Sequence, residues 1–511
     1  MSFLRMPTQP VEIPEVIRPR PRVHPFLWDV GLTTLAGVMV LVAGLVVVSL
    51  VGRWMGAVAV GAYLLVRRVA TWISSGVQLG LGVALPRYVA KSVGQKTADQ
   101  LGYLAGALLT LLGIASAAGT LLVLGRTIFA RWLFGSVQAS DLISPLVWLL
   151  LGLSAHAGVY GFYRGRLAMH WANALQVVNI AAVPVVSVAS LYRSRPIAYI
   201  ISVNGATMLA FSLLLLLPLS REFSSIKLPR LLPRVRELLS YGSARVPGEF
   251  AGSALFALGP VIAAHYVPLS EVSRLLLGLG LLMAVSVSVA PCGTVLLSKI
   301  TMMIARNQME DVRLRLEKFL AGIIELSVFV SLQLVVFADV LIRVWVGKEY
   351  LTGIAVIQIT LLSIPFYLFF VALRSAIDAV SVIAYNAHNG YVALAVFLAL
   401  SGLAVGLAPR SLLLHSIAGS LMVANAVLAW RTSSVAGKLL NLRIPWRECM
   451  LPTLSAIVLG MVAYFVHRRL GVQAGPLSVV LVELVMGVVF LGLTQVLGST
   501  WLSYFYKLLI T

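Results

Sequence analysis

The stretch that decides the fold is VGRWMGAVAVGAYLLVRRVATWISSGVQLGLGVALPRYVAKSVGQ, residues 51–95. It contains an apolar run long enough to cross a bilayer, because a hydrocarbon core of about 30 Å needs about 20 residues of helix. Two adjacent arginines, Arg67 and Arg68, lie at the middle of that run. A guanidinium at this depth is energetically unfavourable and almost always faces a wet cavity or a partner. The stretch therefore predicts a membrane helix that borders a polar cavity.

The whole chain has the composition of a membrane protein. Of its 511 residues, 60% are apolar and 11% are charged, and the mean hydropathy is +0.97. A soluble globular protein is roughly 45–50% apolar and about 25% charged. This chain has too few charged residues to cover a surface that is exposed to water. The two cysteines, Cys292 and Cys449, exclude a disulfide-rich scaffold and have no metal-ligand spacing. The composition predicts an all-α polytopic membrane protein.

Apolar stretches long enough to cross the bilayer as helices number about fourteen. The predicted spans are 29–51, 56–82, 101–125, 141–163, 172–192, 197–218, 242–267, 272–297, 318–343, 353–376, 383–408, 411–431, 450–467 and 476–499. The two longest segments on the predicted inner side, 221–241 and 299–318, are amphipathic, and we expect them to lie as surface helices on anionic lipid. No segment between spans is long enough for a soluble catalytic domain.

The distribution of basic residues orients these spans. The net charge is +21, and with the amino terminus inside, the inner segments carry more than twice as many Lys and Arg as the outer loops. This asymmetry predicts that both termini are in the cytoplasm and that the protein lies in the cytoplasmic membrane. The positive surplus is explained by contact with anionic membrane lipids, so a nucleic-acid partner is not expected.

A weak internal repeat indicates two related halves. Shifting the chain by about 212 residues places VGAY at 60–63 over VSRL at 272–275 and WLFG at 132–135 over VWVG at 344–347. Each repeat unit then contains six spans, and an even number relates the copies by a pseudo-two-fold axis along the membrane normal. The predicted domains are a basic Pro-rich cytoplasmic tail (1–28), an N-lobe (29–218), an amphipathic linker (219–241), a C-lobe (242–431) and two further spans with a tail (432–511).

One polar face of the second span is the candidate binding site. At helical steps of three and four, its members are Tyr63, Arg67, Thr71, Ser74 and Gln78, with Arg68 at the border. A guanidinium offers parallel donors that suit a phosphate group and stays charged at any physiological pH. This pattern predicts a phosphate or pyrophosphate site. The alternatives are a structural ion pair with another helix, or an Arg68 that points outward.

Two further pairs have the spacing of ion pairs within one helix. Arg245 and Glu249 lie in the first turns of the seventh span, and Arg374 and Asp378 lie at the inner end of the tenth. Residues four apart on a helix are neighbours, so we expect each pair to neutralise itself. The alternative is a gate at the entrance to the cleft. No catalytic residue, metal site or cofactor is predicted.

Four segments together resemble a known family. They are residues 51–95, RELLSYGSARVP (236–247), SKITMMIARNQMEDVRLRLEKF (298–319) and GKEYLTGIAVIQITLLSIPF (347–366). In order and spacing these segments resemble the oligosaccharide flippases, the O-antigen-type exporters of the multidrug/oligosaccharidyl-lipid/polysaccharide superfamily. The likeness extends over roughly residues 29–431.

The resemblance implies a specific activity. Such a protein would flip a polyprenyl-(pyro)phosphate-linked oligosaccharide from the inner to the outer leaflet by alternating access, with the headgroup in the cleft and the tail in lipid. Whether transport is coupled to an ion, H⁺ or Na⁺, is left open by the resemblance. The protein is expected to be a monomer.

Two other classes of function compete with this hypothesis. The first is a cation-coupled multidrug exporter of the same superfamily, which would favour a membrane-embedded acid in the first span of each lobe. The second is a membrane glycosyltransferase or polymerase, which would favour a sizeable outer loop with catalytic residues. The chain has no GxxxxGK[ST] motif, so ATP is not an expected cofactor. Glu325, Glu483 and His156 lie within spans and are either proton relays or satisfied buried groups.

Overall fold

The computed structural model describes residues 25–95, 99–220, 231–243, 246–306, 308–381, 383–444, 446–470 and 475–499. These residues form helices joined by short turns, with no strand among them. The α-helices are α1 (Pro25–Val77), α2 (Leu81–Gly94), α3 (Gln100–Leu124), α4 (Arg126–Phe134), α5 (Ile143–Gly165), α6 (Met169–Gln176), α7 (Val183–Leu191), α8 (Ile197–Leu214), α9 (Leu231–Gly242), α10 (Val246–Ala264), α11 (Leu269–Ala305), α12 (Met309–Val336), α13 (Ala338–Trp345), α14 (Ile354–Leu361), α15 (Ile364–Val380), α16 (Tyr385–Leu407), α17 (Leu413–Leu440), α18 (Trp446–Leu470) and α19 (Pro476–Val496).

Helix α1 contains two membrane crossings. Its 53 residues correspond to about 80 Å of helix, more than twice the bilayer core. Gly56 breaks it with a left-handed φ of 83°, which glycine adopts without strain. Thirteen helical segments of the described chain are long and apolar enough to span a membrane, and the first of them is this broken helix. Counting its two halves separately gives fourteen crossings, as the sequence predicted.

A second break follows at the other end of α1. Leu79 and Gly80 both adopt left-handed backbone conformations, and α2 begins at the next residue. A Cβ atom at Gly80 would collide with the carbonyl oxygen of Gly242, the last residue of α9. The second crossing therefore ends about five residues before the predicted boundary at 82, because the chain turns here to receive α9.

Helix α9 packs on protein along one side. Arg234 forms an ion pair with Asp99, and the Tyr103 hydroxyl donates a 2.7 Å hydrogen bond to Glu237. The guanidinium of Arg87 lies 4.3 Å from the ring centre of Tyr241. Residues 231–241 thus pack on protein along one side while Leu232 remains 75% exposed, so a lipid-surface helix at 221–241 stays a prediction; residues 221–230 lie outside the described chain.

The amphipathic segment at 299–318 is not a surface helix. Its first part continues α11, which ends at Ala305, and its second part begins α12 at Met309. The apolar side chains of Val312, Leu316 and Phe319 are buried inside the protein. The Glu317 carboxylate accepts a 2.9 Å hydrogen bond from the backbone N–H of Arg443, just beyond α17. The apolar face of this segment therefore packs on protein.

The helices are arranged in two lobes, and a separate C-terminal pair of helices packs on the second lobe. Helices α5 and α8 meet closely in the first lobe, where Gly152 faces the backbone of Gly205. In the second lobe, Gly259 of α10 packs against Phe397 of α16 and Ile417 of α17. The C-terminal pair, α18 and α19, packs on α12, where the rings of Phe329 and Phe490 stack at 4.3 Å.

The two ends of the bundle can be defined by contacts alone. We call the end that bears α9 the linker face. We call the opposite end the far face; there Gly61 of α1 approaches the Leu269 carbonyl, and Gly135 approaches the Ala264 carbonyl. Both contacts join one lobe to the other and would be blocked by any Cβ atom. The lobes are therefore in backbone contact at the far face.

Candidate functional site

Arg67 and Arg68 lie in the second half of α1, and both side chains are partly exposed. The Arg67 guanidinium donates a 2.7 Å hydrogen bond to the Tyr63 hydroxyl one turn earlier, and it lies 5.4 Å from the ring centre. Tyr63 is itself 2% exposed, so its ring is held by packing. The buried tyrosine thus holds one of the two guanidiniums in a defined position.

The charge environment of the two arginines is positive. Within the described chain, no carboxylate lies within 4.0 Å of either guanidinium, and every ion pair found there involves other residues. The structural ion pair considered from the sequence is therefore not formed among the described residues. Two adjacent like charges in a low-dielectric region favour the binding of an anion.

The second lobe contributes Tyr367, which the sequence analysis did not identify. Tyr367 lies on α15, close enough to both Arg68 and Arg374 for electrostatic interaction. Its ring packs edge-on against Phe256 of α10, with 4.9 Å between ring centres. Tyr367 and Arg374 are two helical turns apart on one face of α15. The sequence could have placed Tyr367 and Arg374 on one face of a helix from this spacing. The spacing does not show that this face of α15 packs toward the first lobe.

The remaining polar stripe of α1 divides into exposed and buried members. The exposed Thr71 donates to the Arg67 carbonyl at 2.8 Å, and Gln78 donates to the buried Ser74 hydroxyl at 2.7 Å. Ser75 forms a 2.8 Å hydrogen bond with Ser253 of α10. The stripe therefore lines the boundary between the lobes, and only part of it is accessible to a ligand.

The predicted gate residues lie toward the linker face. Arg245 lies outside the described residues, and Glu249 is exposed in the first turn of α10. Arg374 and Asp378 are both exposed, but they do not form the expected ion pair. Instead the Asn386 amide donates to the Asp378 carboxylate and to the Arg374 carbonyl, at 2.8 Å each. The ion-pair prediction is wrong because α16 brings Asn386 against the end of α15, which a single-helix argument does not include.

Of the other ionisable groups that the sequence places inside spans, Glu325 and His156 have hydrogen-bonding or stacking partners, and Glu483 is partly exposed on α19. Glu325 is fully buried and accepts a 2.9 Å hydrogen bond from Ser499. The ring of His156 stacks on Tyr160 at 5.5 Å, and its Nδ1 lies 3.3 Å from the Asn179 amide. No group of three or more His, Cys, Asp or Glu in the described chain is placed to hold a metal ion. None of these groups contacts the two arginines.

A two-lobed helical bundle whose described residues include fourteen candidate membrane crossings, with two adjacent arginines at the lobe boundary, defines a polytopic membrane protein of the transporter type. The chain belongs to the family described as polysaccharide biosynthesis protein, whose model matches residues 26–303, more than half of the chain. This confirms the family resemblance drawn from the sequence. No curated protein sequence matches the chain.

Solved structures show the same fold at low sequence identity. The lipid II flippase MurJ, in an inward closed conformation, is 14% identical, with 94% of this chain and 100% of that chain covered and a TM-score of 0.69. An inward-facing multidrug resistance MATE transporter of the MOP superfamily is also 14% identical; it covers 80% of this chain and 98% of its own, with a TM-score of 0.65. These similarities confirm the predicted all-α, two-lobed fold.

Proposed function

We propose that this protein is a flippase that moves a polyprenyl-(pyro)phosphate-linked oligosaccharide from the inner to the outer leaflet by alternating access. The observation that carries the proposal is the pair Arg67 and Arg68, which project at the lobe boundary with no carboxylate within 4.0 Å in the described chain. Family membership and the fold shared with a lipid II flippase support the same assignment.

The proposed binding step uses both lobes. The phosphate groups enter from the linker face, and Arg67 and Arg68 replace part of their hydration shell with charge-assisted hydrogen bonds. Tyr367 and Arg374 approach the same anion from the second lobe. Tyr63 positions Arg67, while Thr71, Ser74 and Gln78 line the adjoining wall. The lipid tail stays in the bilayer, so only the polar headgroup has to cross within the cleft.

Transport then requires two conformations of similar free energy. The lobes rock about the bound headgroup, the linker face closes, and the far face opens. Glu249, Arg374 and Asp378, with Arg245 from outside the described chain, form the proposed entrance. A gradient of H⁺ or Na⁺ is a candidate energy source. No bond is made or broken in this cycle, so the protein acts as a transporter and not as an enzyme.

We also propose an orientation in the membrane and a division of the chain into lobes. The linker face lies in the cytoplasm, both termini are inside, and the protein resides in the cytoplasmic membrane as a monomer among anionic lipids. The lobes correspond to residues 29–218 and 242–431, joined by the linker at 219–241. The tail at 1–28 precedes them, and residues 432–511 form the C-terminal pair and its tail.

The arginine pair can be tested in proteoliposomes. A polyprenyl diphosphate that bears a fluorescent saccharide is supplied on one side, and translocation is read from its protection against a membrane-impermeant quencher. Because a charged hydrogen bond contributes roughly 1.5–3 kcal/mol, we expect Arg67→Gln/Arg68→Gln to reduce the transport rate by about a hundredfold.

The matched control is Arg410→Gln, which changes an exposed arginine in the turn between α16 and α17. The thermal midpoint in detergent should be the same for both variants and the parent. Transport by the double variant at the parental rate, with folding intact, would exclude the phosphate site.

A second function is favoured by one finding, the likeness to a multidrug transporter of the same superfamily. Arg67 and Arg68 argue against it, because neither has a carboxylate within 4.0 Å in the described chain, and two adjacent positive charges favour an anionic cargo. Export of a cationic dye that survives Arg67→Gln/Arg68→Gln, together with no transport of the diphosphate lipid, would favour the exporter.

A further inference from the structure

The short helix α13 lies on the far face and ends against the first crossing of α1. Its last carbonyl groups, on Val344 and Trp345, have no partner within the helix. The Arg53 guanidinium donates to both of them, and the Ser49 hydroxyl donates to the Trp345 carbonyl at 2.5 Å. The carboxyl end of a helix carries partial negative charge, so a guanidinium is a well-matched partner there.

The contact is reciprocal. The indole N–H of Trp345 donates a 2.8 Å hydrogen bond to the Leu45 carbonyl, two turns before Arg53 on the same helix. Each element therefore donates to the backbone of the other. Between these bonds Gly52 packs against Val346 and Tyr350, and Tyr350 is 1% exposed. We call this contact between residues 45–53 of α1 and residues 344–350 the seam. It is closely packed, and a headgroup could not pass through it in this conformation.

The other end of α13 is fixed to the C-terminal pair. Asp339, in its first turn, lies 3.1 Å from the imidazole Nε2 of His467 near the end of α18. The His467 ring also packs edge-on against Phe337, with ring centres 5.1 Å apart. Helix α13 is thus attached to α18 at one end and to the first lobe at the other.

We propose that α13 is a latch that holds the far face closed, with Arg53 and Trp345 as its two clasping side chains. The inference rests on the proposed function only in that the lobes alternate; it does not depend on which cargo they carry. In each cycle the hydrogen bonds of Arg53 and Trp345 break together when the far face opens. Weakening the latch shifts the resting population toward the state that is open at the far face.

The resting population can be measured without cargo. Spin labels at Gln138→Cys and Ser411→Cys, both exposed, report the separation of the lobes by pulsed electron resonance in nanodiscs, in a chain whose native Cys292 and Cys449 are replaced by Ala. We expect Arg53→Gln and Trp345→Phe each to raise the ratio of long to short distances about tenfold. The matched controls are Arg126→Gln and Trp132→Phe, which change exposed residues of α4.

A distance distribution in both latch variants that equals that of the controls would overturn the proposal. Such a result would leave the arginine-pair assignment untouched, because that assignment is tested by cargo transport. Conversely, a shifted distribution in the latch variants together with parental transport by Arg67→Gln/Arg68→Gln would retain the latch and reject the proposed cargo.

A covalent lock tests the same seam in the opposite direction. A Cβ atom built on Gly52 lies 3.1 Å from the Val346 Cβ, slightly under the roughly 3.5–4.5 Å found in disulfides. In the cysteine-free chain, oxidised Gly52→Cys/Val346→Cys should lose at least nine-tenths of its transport and regain it on reduction. Full transport by the oxidised protein, with the disulfide verified by mass spectrometry, would show that this seam does not open.

Discussion

At the scale of single residues, the chemistry of Arg67 and Arg68 depends on their surroundings as much as on their charge. Tyr63 holds Arg67 by a hydrogen bond within one helix, whereas Arg68 lies within the range of electrostatic interaction with Tyr367 of the other lobe. A guanidinium that is oriented in advance loses less side-chain entropy when it binds an anion. The two arginines are therefore distinct: one is positioned by its own helix and the other faces the opposite lobe.

Tyr367 provides a test at this scale. Tyr367→Phe removes one hydroxyl but keeps the ring that packs on Phe256, so folding should be unaffected. If the hydroxyl donates to a phosphate oxygen, its loss removes a bond worth roughly 1.5–3 kcal/mol, and translocation of the diphosphate lipid should fall at least about tenfold.

The control is Tyr199→Phe, which removes the hydroxyl of an exposed tyrosine at the start of α8. Thermal unfolding should give equal midpoints for the parent and the two variants. Parental transport by Tyr367→Phe would place the hydroxyl outside the binding site, while Arg67 and Arg68 would still be tested on their own.

At the scale of elements, the breaks in the helices matter as much as the helices themselves. Gly56 separates the first two crossings, and Leu79 with Gly80 ends the second one where α9 docks. The break at Gly80 lies where the chain meets the end of α9, whereas a Cβ atom at Gly56 would have no atom of another element within 4 Å. The short helices α9 and α13 then occupy the two faces and connect parts of the molecule that are distant in sequence.

Gly80 gives a prediction for this scale. Its φ of 69° disfavours any side chain, and a Cβ atom would collide with the Gly242 carbonyl. We expect Gly80→Ala to destabilise the protein by more than about 1 kcal/mol, seen as a lower thermal midpoint in detergent and a lower yield.

Gly113→Ala is the control, because Gly113 lies within α3 with no atom within 4 Å of its Cβ position. That substitution should leave the midpoint unchanged or raise it slightly, since Ala favours helix more than Gly does. Equal midpoints for the two variants would show that α9 does not require the turn at Gly80.

At the scale of the whole molecule, the arrangement is asymmetric in a way that suits directional transport. The lobes are in backbone contact at the far face through Gly61 and Gly135, while the exposed Arg374 and Asp378 lie toward the linker face. The described conformation is therefore closed at the far face. A cargo anion would reach the arginines only from the linker side.

Orientation is the prediction at this scale. In intact cells, a membrane-impermeant maleimide should label Ser411→Cys and should not label Gln95→Cys until the cells are permeabilised, because in the proposed orientation, which the excess of Lys and Arg favours, the linker face lies in the cytoplasm. Both positions are exposed. The reverse labelling pattern would invert the direction of the proposed transport.

The sequence predicted the fourteen crossings, the polar stripe around Arg67 and the family, because hydropathy and helical periodicity are properties of contiguous residues. It did not predict that Asn386 would bind Asp378, nor that the amphipathic segments near 231–241 and 299–318 would pack on protein. A single-helix argument includes only the neighbours on that helix, and in these cases a second helix supplied the partner.

The sequence by itself therefore determined that this chain lies in a membrane and carries two adjacent cations in mid-span. The tertiary structure alone decided what those cations and the helix ends meet. Tyr367 lies within electrostatic range of Arg68, about 300 residues earlier in the chain, and Trp345 donates a hydrogen bond to Leu45 across a similar separation in sequence. Such contacts depend on how the lobes pack and on which backbone carbonyls each helix end leaves free, and neither property is encoded in a local pattern.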